Sequence, residues 1–300
     1  MEQSCVIKLE KALHEISNEI NVTLDNLLMS NKRLEGRVVE AMRYSSLSAG
    51  KRLRPFLVMQ TGSLFNVNKK SALYVGAAIE MVHCYSLIHD DLPAMDNDDL
   101  RRGQATCHIK FDEASAILAG DALLSKAFEV LADKKTHESS KIRIELVSAL
   151  ARASGHCGMV GGQMIDLIAD GKNLKLSEVS RLQKMKTGAL ISCAVEFGAI
   201  LGEANQKQRR DLMQYAADIG LAFQIADDLL DFEGDESQVG KKTRKDSDAG
   251  KVTFVSLLGA DMARAEANAC TSRAIKRLSG FGDEAEILRE VARYIVARDT

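Results

Sequence analysis

The chain has 300 residues, enough for one large domain or two ordinary ones. Hydrophobic residues make up 46%, which supports a sizeable core, and 42 acidic against 40 basic residues leave no global field to attract nucleic acid. Only two prolines occur, Pro55 and Pro93, against a background rich in Ala, Leu, Glu and Lys, which favours helix over sheet.

The N-terminal stretch is charged and helix-periodic, unlike a signal peptide. Leu9, Leu13, Ile16, Ile20, Leu24 and Leu27 mark one face of a first helix. A second begins near Gly36. Pro55 falls early in a third, where its missing N–H does no harm. A fourth, about Ser71 to Asp91, is apolar on most faces, so it is expected inside a wide helical bundle. Further helices are predicted near Asp112–Leu131, Ser139–Ser154, Ser177–Leu201, Gln206–Phe232, Phe254–Leu278 and Glu284–Val296. Strand-like alternation is hard to find, and the breaks are short and polar. One all-α domain spanning 1–300, of ten or more helices, is the economical reading. The polar, glycine-containing stretch Glu233–Lys251 is too long for a plain connection and is expected to form a mobile loop or a lid.

Six cysteines are present, none at CxxC spacing. Three stand beside a histidine, but neighbours on a helix point apart, so these pairs read as reduced core or near-core thiols and not as zinc sites. No run of 18 apolar residues predicts a membrane span. The expectation is a reduced, soluble, cytoplasmic protein.

Local clusters must then carry the chemistry. Asp90, Asp91, Asp96, Asp98 and Asp99 fall within ten residues at the end of the apolar fourth helix, followed at once by Arg101 and Arg102. Carboxylates so crowded resist ionisation unless a cation sits among them. Magnesium prefers a few carboxylates completed by substrate phosphate oxygens, and guanidinium groups suit bidentate phosphate contact. Pro93 should end or bend the helix, letting Asp96 turn back toward Asp90. A second cluster, Gln224, Asp227, Asp228 and Asp231, sets two carboxylates four apart, about 6 Å along one helix face, among apolar neighbours. Alone the second motif is a weak signal; paired with the first it suggests opposite walls of one cavity. Gly50–Pro55 adds Lys51 and Arg54 at a helix start, where free N–H groups already favour phosphate. His83 precedes Asp90 by two turns, about 10 Å deeper on the same face.

With these residues in view, the chain resembles the trans-isoprenyl diphosphate synthase family, and within it the bacterial branch that makes a fifteen-carbon product. The resemblance covers nearly the whole chain. It rests on GKRLRP at Gly50–Pro55, the stretch Glu80–Gly103, GGQMIDL at Gly161–Leu167, KTGAL at Lys186–Leu190, FQIADDLLD at Phe223–Asp231 and GKVTFVSLLG at Gly250–Gly259. It implies an orthogonal helical bundle around a deep cavity, a homodimer, and three Mg2+ ions bridging the two Asp motifs and an allylic diphosphate. Asp90, Asp91 and Asp96 would hold metal from one side, and Asp227, Asp228 and Asp231 from the other. Arg101 would contact the allylic diphosphate. Lys51, Arg54, His83 and Arg102 would hold isopentenyl diphosphate. Lys186, Thr187, Gln224, Lys241 and Lys251 would complete the allylic side, with Lys186, Thr187 and Gln224 nearest the chemistry as catalytic residues, and Gln163 and Asp166 in support. The chain departs from the family at Ala49, where glycine is usual, and at Arg244.

The implied reaction is ionisation of an allylic diphosphate, head-to-tail attack by isopentenyl diphosphate, and proton loss to the departed diphosphate. Tyr85, five residues before Asp90 and so about 7.5 Å deeper, would stop the growing tail early, with Ser86 beside it. That fits two successive additions starting from dimethylallyl diphosphate and passing through geranyl diphosphate. The rivals are a geranylgeranyl or geranyl synthase with the same chemistry, a terpene cyclase, which needs no second basic pocket, and a helical scaffold without activity.

Overall fold

The computed structural model describes residues 3–29, 33–169, 172, 174–233 and 252–297. Lys241, Lys251 and Arg244 lie outside the described residues, as does the expected lid apart from Glu233.

The protein is built almost wholly of helices: α1 (Gln3–Leu27), α2 (Gly36–Ser46), α3 (Leu53–Ser63), α4 (Lys69–Asp90), a short α5 (Cys107–Lys110), α6 (Glu113–Ala132), α7 (Ser140–Ser154), α8 (Met159–Ala169), α9 (Leu176–Gln183), α10 (Ala189–Leu201), α11 (Gln206–Glu233), α12 (Phe254–Leu258), α13 (Ala260–Arg277) and α14 (Glu286–Ala297). Local signals start several of them. The Asn68 side chain accepts the Lys70 and Ser71 N–H groups at 2.9 and 3.4 Å to cap α4. Asp112 accepts the Ser115 N–H at 2.7 Å to cap α6, and Arg37 of α2 pairs with the same carboxylate.

α4 forms the centre. It packs against α6 on one side and α3 on another, while α10 bridges α3, α7 and α11, and α11 lies along α13. Twelve of the 22 residues of α4 are buried, including Val75, Ile79, Met81 and Val82, as expected for a helix apolar all round. It is the one helix among the described residues long and apolar enough to cross a bilayer, yet 67% of its most apolar window is buried inside the bundle. A second, smaller apolar cluster joins Val179, Ile225, Phe254, Val255, Ala263 and Ala267 beneath the C-terminal end of α11.

Four local departures from the sequence reading matter. The stretch expected as one helix from Ser177 to Leu201 contains a π-helical turn at Lys184–Gly188 between α9 and α10. The helix expected from Phe254 breaks at Gly259, whose φ is 77°. A short antiparallel hairpin, Leu100–Arg101 with Gln104–Ala105, and the helix α8 were not anticipated. α8 follows Gly155 and Gly158 and carries Gly161 and Gly162 in its first turn, which weaken its intrinsic helix signal; packing against the π turn supplies what propensity lacks.

Candidate active site

The first acidic segment is shaped by the end of α4. Asp91 caps the helix, with its N–H on the Leu87 carbonyl at 3.1 Å. Past Pro93 the chain folds back as expected: the Asp96 N–H reaches the Asp90 carbonyl at 2.9 Å, and the Asn97 N–H reaches the Leu92 carbonyl at 3.1 Å. The hairpin then returns Arg101 and Arg102 to this end of α4. Its two central residues, Arg102 and Gly103, have φ of 52° and 76°, the signature of a tight two-residue turn. Glycine takes that conformation freely, whereas Arg102 holds it at some cost in strain.

That turn fixes both arginines. Arg101 grips Asp91 with a two-toothed fork, Nε to Oδ2 at 2.9 Å and Nη2 to Oδ1 at 2.5 Å. Burial opposes charge on this guanidinium, but the Asp91 carboxylate outweighs it and holds Arg101 firmly protonated. Asp91, expected as a metal ligand, is buried and forms the counterion that aims Arg101. Arg102 donates to the Ala49 carbonyl at 2.5 Å, tying the hairpin to the Gly50–Pro55 loop.

Within that loop the two arginines divide their roles. Arg52 is buried and fully engaged, donating to Glu80 Oε1 at 2.8 Å, to the Ser46 and Ser48 carbonyls at 2.7 and 2.8 Å, and to Asn21 Oδ1 at 3.1 Å. Arg54 instead faces the cleft. Its Nε is buried with no hydrogen-bond partner among the described residues. Burial lowers the tendency of Arg54 to stay charged, and Glu80 and Asp227 work against that loss. A desolvated, incompletely partnered guanidinium is a binding group for an anion. His83 lies beside it. Burial, reinforced by Arg54, Arg102, Arg52 and Arg101, pushes its imidazole well below the ordinary 6.5, so it is neutral at pH 7 and can act as a hydrogen-bond donor. Lys51 is exposed, with its ammonium 5.9 Å from the Tyr294 ring, and does not line the clefts described below.

The opposite wall comes from α8, the π turn and α11. Gln163 of α8 donates to Asp90 Oδ1 at 2.5 Å, and Lys186 of the π turn pairs with Asp166 at 2.6 Å. α8 and the π turn can touch because Gly162 has no side chain: a Cβ there would stand 2.2 Å from the Lys186 backbone nitrogen. On α11, Gln224 and Asp228 are buried and Asp227 is exposed. Asp228 accepts the Phe254 N–H at 2.7 Å, which anchors α12 against α11.

Two adjoining clefts result. One, of about 300 Å³, is lined by Arg54, His83, Tyr85, Ser86, Asp90, Gln163, Lys186 and Thr187. The other, of about 260 Å³, is lined by Asp166, Lys186, Thr187, Gln224, Asp227 and Asp228. Lys186 and Thr187 line both, so the cleft at Asp90 and the cleft at Asp227 and Asp228 adjoin across the π turn. Arg101, Arg102, Asp91 and His83 meet in a smaller recess of about 40 Å³ behind the first motif. Asp96 is exposed in the returning loop and Asp231 is half-buried one turn past Asp227; neither lines these clefts. Asp90, facing Asp96 and Asp91, has its carboxyl pushed above the ordinary 3.8, first by burial and then by these like charges, with Lys186 opposing.

Sequence reasoning missed the apolar lining of the first cleft, above all Met159, Val160, Met164 and Leu167 of α8. Their helical spacing was visible, but a stripe lining a cleft is indistinguishable in sequence from one packed in a core. It also passed over Glu80. Of the thiols expected in or near the core, Cys84 and Cys107 are buried, and burial pushes Cys84 up to about 12, whereas Cys157 is exposed in the turn before α8.

Among the described residues no three His, Cys, Asp or Glu side chains cluster closely enough to hold an ion unaided. The carboxylates stand on two walls, one or two at a time. That donor set suits magnesium, which takes few carboxylates and completes its shell with water and substrate phosphate oxygens.

A helical bundle whose clefts are walled by two aspartate-rich helix ends with cations beside them defines a class, and residues 35–295 match that class: the chain belongs to the polyprenyl synthetase family. Farnesyl diphosphate synthase of Escherichia coli is 49% identical over 269 residues, covering 87% of this chain and 89% of that one. The apo structure of an FPP/GFPP synthase from Zymomonas mobilis is 50% identical and superposes with a TM-score of 0.90, covering 97% of this chain and all of that one. A chloroplastic geranylgeranyl pyrophosphate synthase of Catharanthus roseus is 41% identical over 94% of this chain and 79% of that one.

Proposed function

We propose that the chain is a transferase, a farnesyl diphosphate synthase. It condenses isopentenyl diphosphate with dimethylallyl diphosphate and then with geranyl diphosphate, head-to-tail, releasing diphosphate and giving (2E,6E)-farnesyl diphosphate. The observation that carries this reading is the sharing of Lys186 and Thr187 by the clefts of the two acidic motifs. A single diphosphate bound at that junction reaches carboxylates from both walls and cations between them.

Asp90, Asp91 and Asp96 from one wall, and Asp227 with Asp228 and Asp231 from the other, would hold Mg2+, three ions by resemblance to the family. Bound there, magnesium supplies Lewis-acid neutralisation of the leaving diphosphate. The chain's own residues do the rest. Lys186, Thr187 and Gln224 orient the allylic diphosphate and stabilise charge as it develops on the leaving group; by resemblance to the family, Lys241 and Lys251 would complete that side. Arg101, set by Asp91, adds a fixed guanidinium. Arg54, neutral His83, Arg102 and Lys51 hold isopentenyl diphosphate so that its double bond faces the ionising carbon. Gln163 holds the Asp90 carboxylate, and Asp166 holds Lys186. The apolar α8 residues exclude water from an allylic cation that water would quench. The departed diphosphate takes the proton, so no histidine base is required.

Tyr85 and Ser86 line the cleft below Asp90 and support a fifteen-carbon stop. A geranylgeranyl product is the second reading, since relatives of both kinds share the fold. We take the working form to be a cytoplasmic homodimer. Exposed Ile117 and Leu118 on α6 support association, and the unpaired cysteines among the described residues support a reducing compartment. The test is incubation with isopentenyl diphosphate, magnesium and either dimethylallyl or geranyl diphosphate, followed by sizing of the products. A fifteen-carbon diphosphate is expected. A twenty-carbon product would move the assignment to the second reading, and no condensation at all would overturn both.

A further inference from the structure

Tyr85 does not hold its position alone. The imidazole of His89, one turn along α4, meets the Tyr85 ring edge to face, with centroids 5.6 Å apart and planes at 83°. His89 is itself anchored on the neighbouring helix. Its Nε2 lies 3.1 Å from the Ile117 carbonyl oxygen of α6, a bond it makes as donor. The same ring occupies the space that a side chain at residue 120 would fill: a Cβ on Gly120 would stand 2.1 Å from Nε2 and 2.6 Å from Cδ2. Ile117 and Gly120 are three apart, so they present one face of α6 to the ring. Tyr85, His89 and Ser86 line the same cleft, and the charge of Asp121 on α6 contributes, after burial, to raising the Tyr85 hydroxyl to about 12.

We propose that His89 is a positioning residue for product length: wedged between α6 and Tyr85, it fixes the ring that forms the cleft floor. This rests on the farnesyl reading and deepens it, because stopping length becomes a property of the α4–α6 contact and not of Tyr85 alone. Two perturbations then act in opposite directions. Removing the imidazole lets the Tyr85 ring tip away and deepens the floor. Adding a methyl at residue 120 drives the imidazole against Tyr85 and raises the floor.

The experiment measures product ratios for the full-length enzyme and for His89→Ala, Gly120→Ala, Tyr85→Ala and the doubles His89→Ala/Tyr85→Ala and Gly120→Ala/His89→Ala. Loss of one edge-to-face contact should raise the proportion of product one isoprene unit longer roughly fivefold in His89→Ala. Gly120→Ala should shift products toward the ten-carbon intermediate, and that shift should vanish in the His89→Ala background. His89→Ala should add nothing to Tyr85→Ala, because it acts through that ring. A wild-type product distribution from folded His89→Ala, or additive lengthening in the Tyr85→Ala background, would overturn the proposal. The wild-type product tests the farnesyl reading separately, so failure of one is distinguishable from failure of the other.

Discussion

Gly162→Ala should disable the enzyme although residue 162 touches no substrate group. A methyl at this position would stand 2.2 Å from the Lys186 nitrogen, 2.5 Å from its Cα and 2.7 Å from the Met185 carbonyl carbon. All three are backbone atoms, so no side chain can swing aside. Ordinary contact begins near 3.4 Å. Either α8 or the π turn must therefore move by about 1 Å, and the turn carries Lys186 and Thr187. Overpacking of this kind costs about 1–3 kcal/mol, which for a chain of this size lowers Tm by roughly 2–5 °C. The effect on turnover should be larger. Displacing catalytic groups by about 1 Å costs on the order of 100-fold in rate. Gly188→Ala is the matched control. It lies in the same π turn with helical φ of −62°, and its Cβ would meet nothing closer than the Gln183 carbonyl oxygen at 3.6 Å. It should gain about 0.5–1 kcal/mol from the stiffer unfolded chain and added helix preference. The assay pairs thermal unfolding with kcat/KM for geranyl and isopentenyl diphosphates. Near-normal turnover by Gly162→Ala, or equal damage from Gly188→Ala, would refute the claim that close backbone approach sets the π turn.

Asp90→Ala and Asp227→Ala should each lower kcat/KM by roughly 1,000-fold or more while leaving Tm nearly unchanged, since each removes like-charge repulsion from an acidic wall; steady-state kinetics at saturating magnesium beside a melting curve checks both halves. Glu80→Gln should destabilise the fold by about 3–5 kcal/mol, because it strands the buried Arg52 guanidinium, whereas replacing Arg52 and Glu80 together by apolar residues should cost much less; urea midpoints separate the two. Asp112 is held near 2, below its ordinary 3.8, chiefly by Arg37 and then by Ser115. A depressed carboxyl stabilises the fold above about pH 4 and loses that contribution as pH falls toward 2. The urea midpoint of Asp112→Asn should therefore vary less with pH across that window than wild type, and parallel curves would count against the pairing.

Sequence alone determined most of the helices and the two acidic motifs, because both are local facts. Apolar spacing names a helix face, and Pro93 stops α4 wherever the rest of the chain lies. The all-round apolar character of α4 even required a bundle wide enough to bury it. Tertiary structure decided which of the charged residues work. Arg52 and Arg54 are two apart in a basic run, yet one is fully bonded inside and the other faces the cleft with an unpartnered Nε. Asp91 looks like its neighbour Asp90 but is the counterion of Arg101. The π turn, the strained Arg102 hairpin and the glycine-poor-propensity helix α8 were invisible for the same reason. Each exists because distant segments approach closely enough to hold it, and no short window of residues contains that approach.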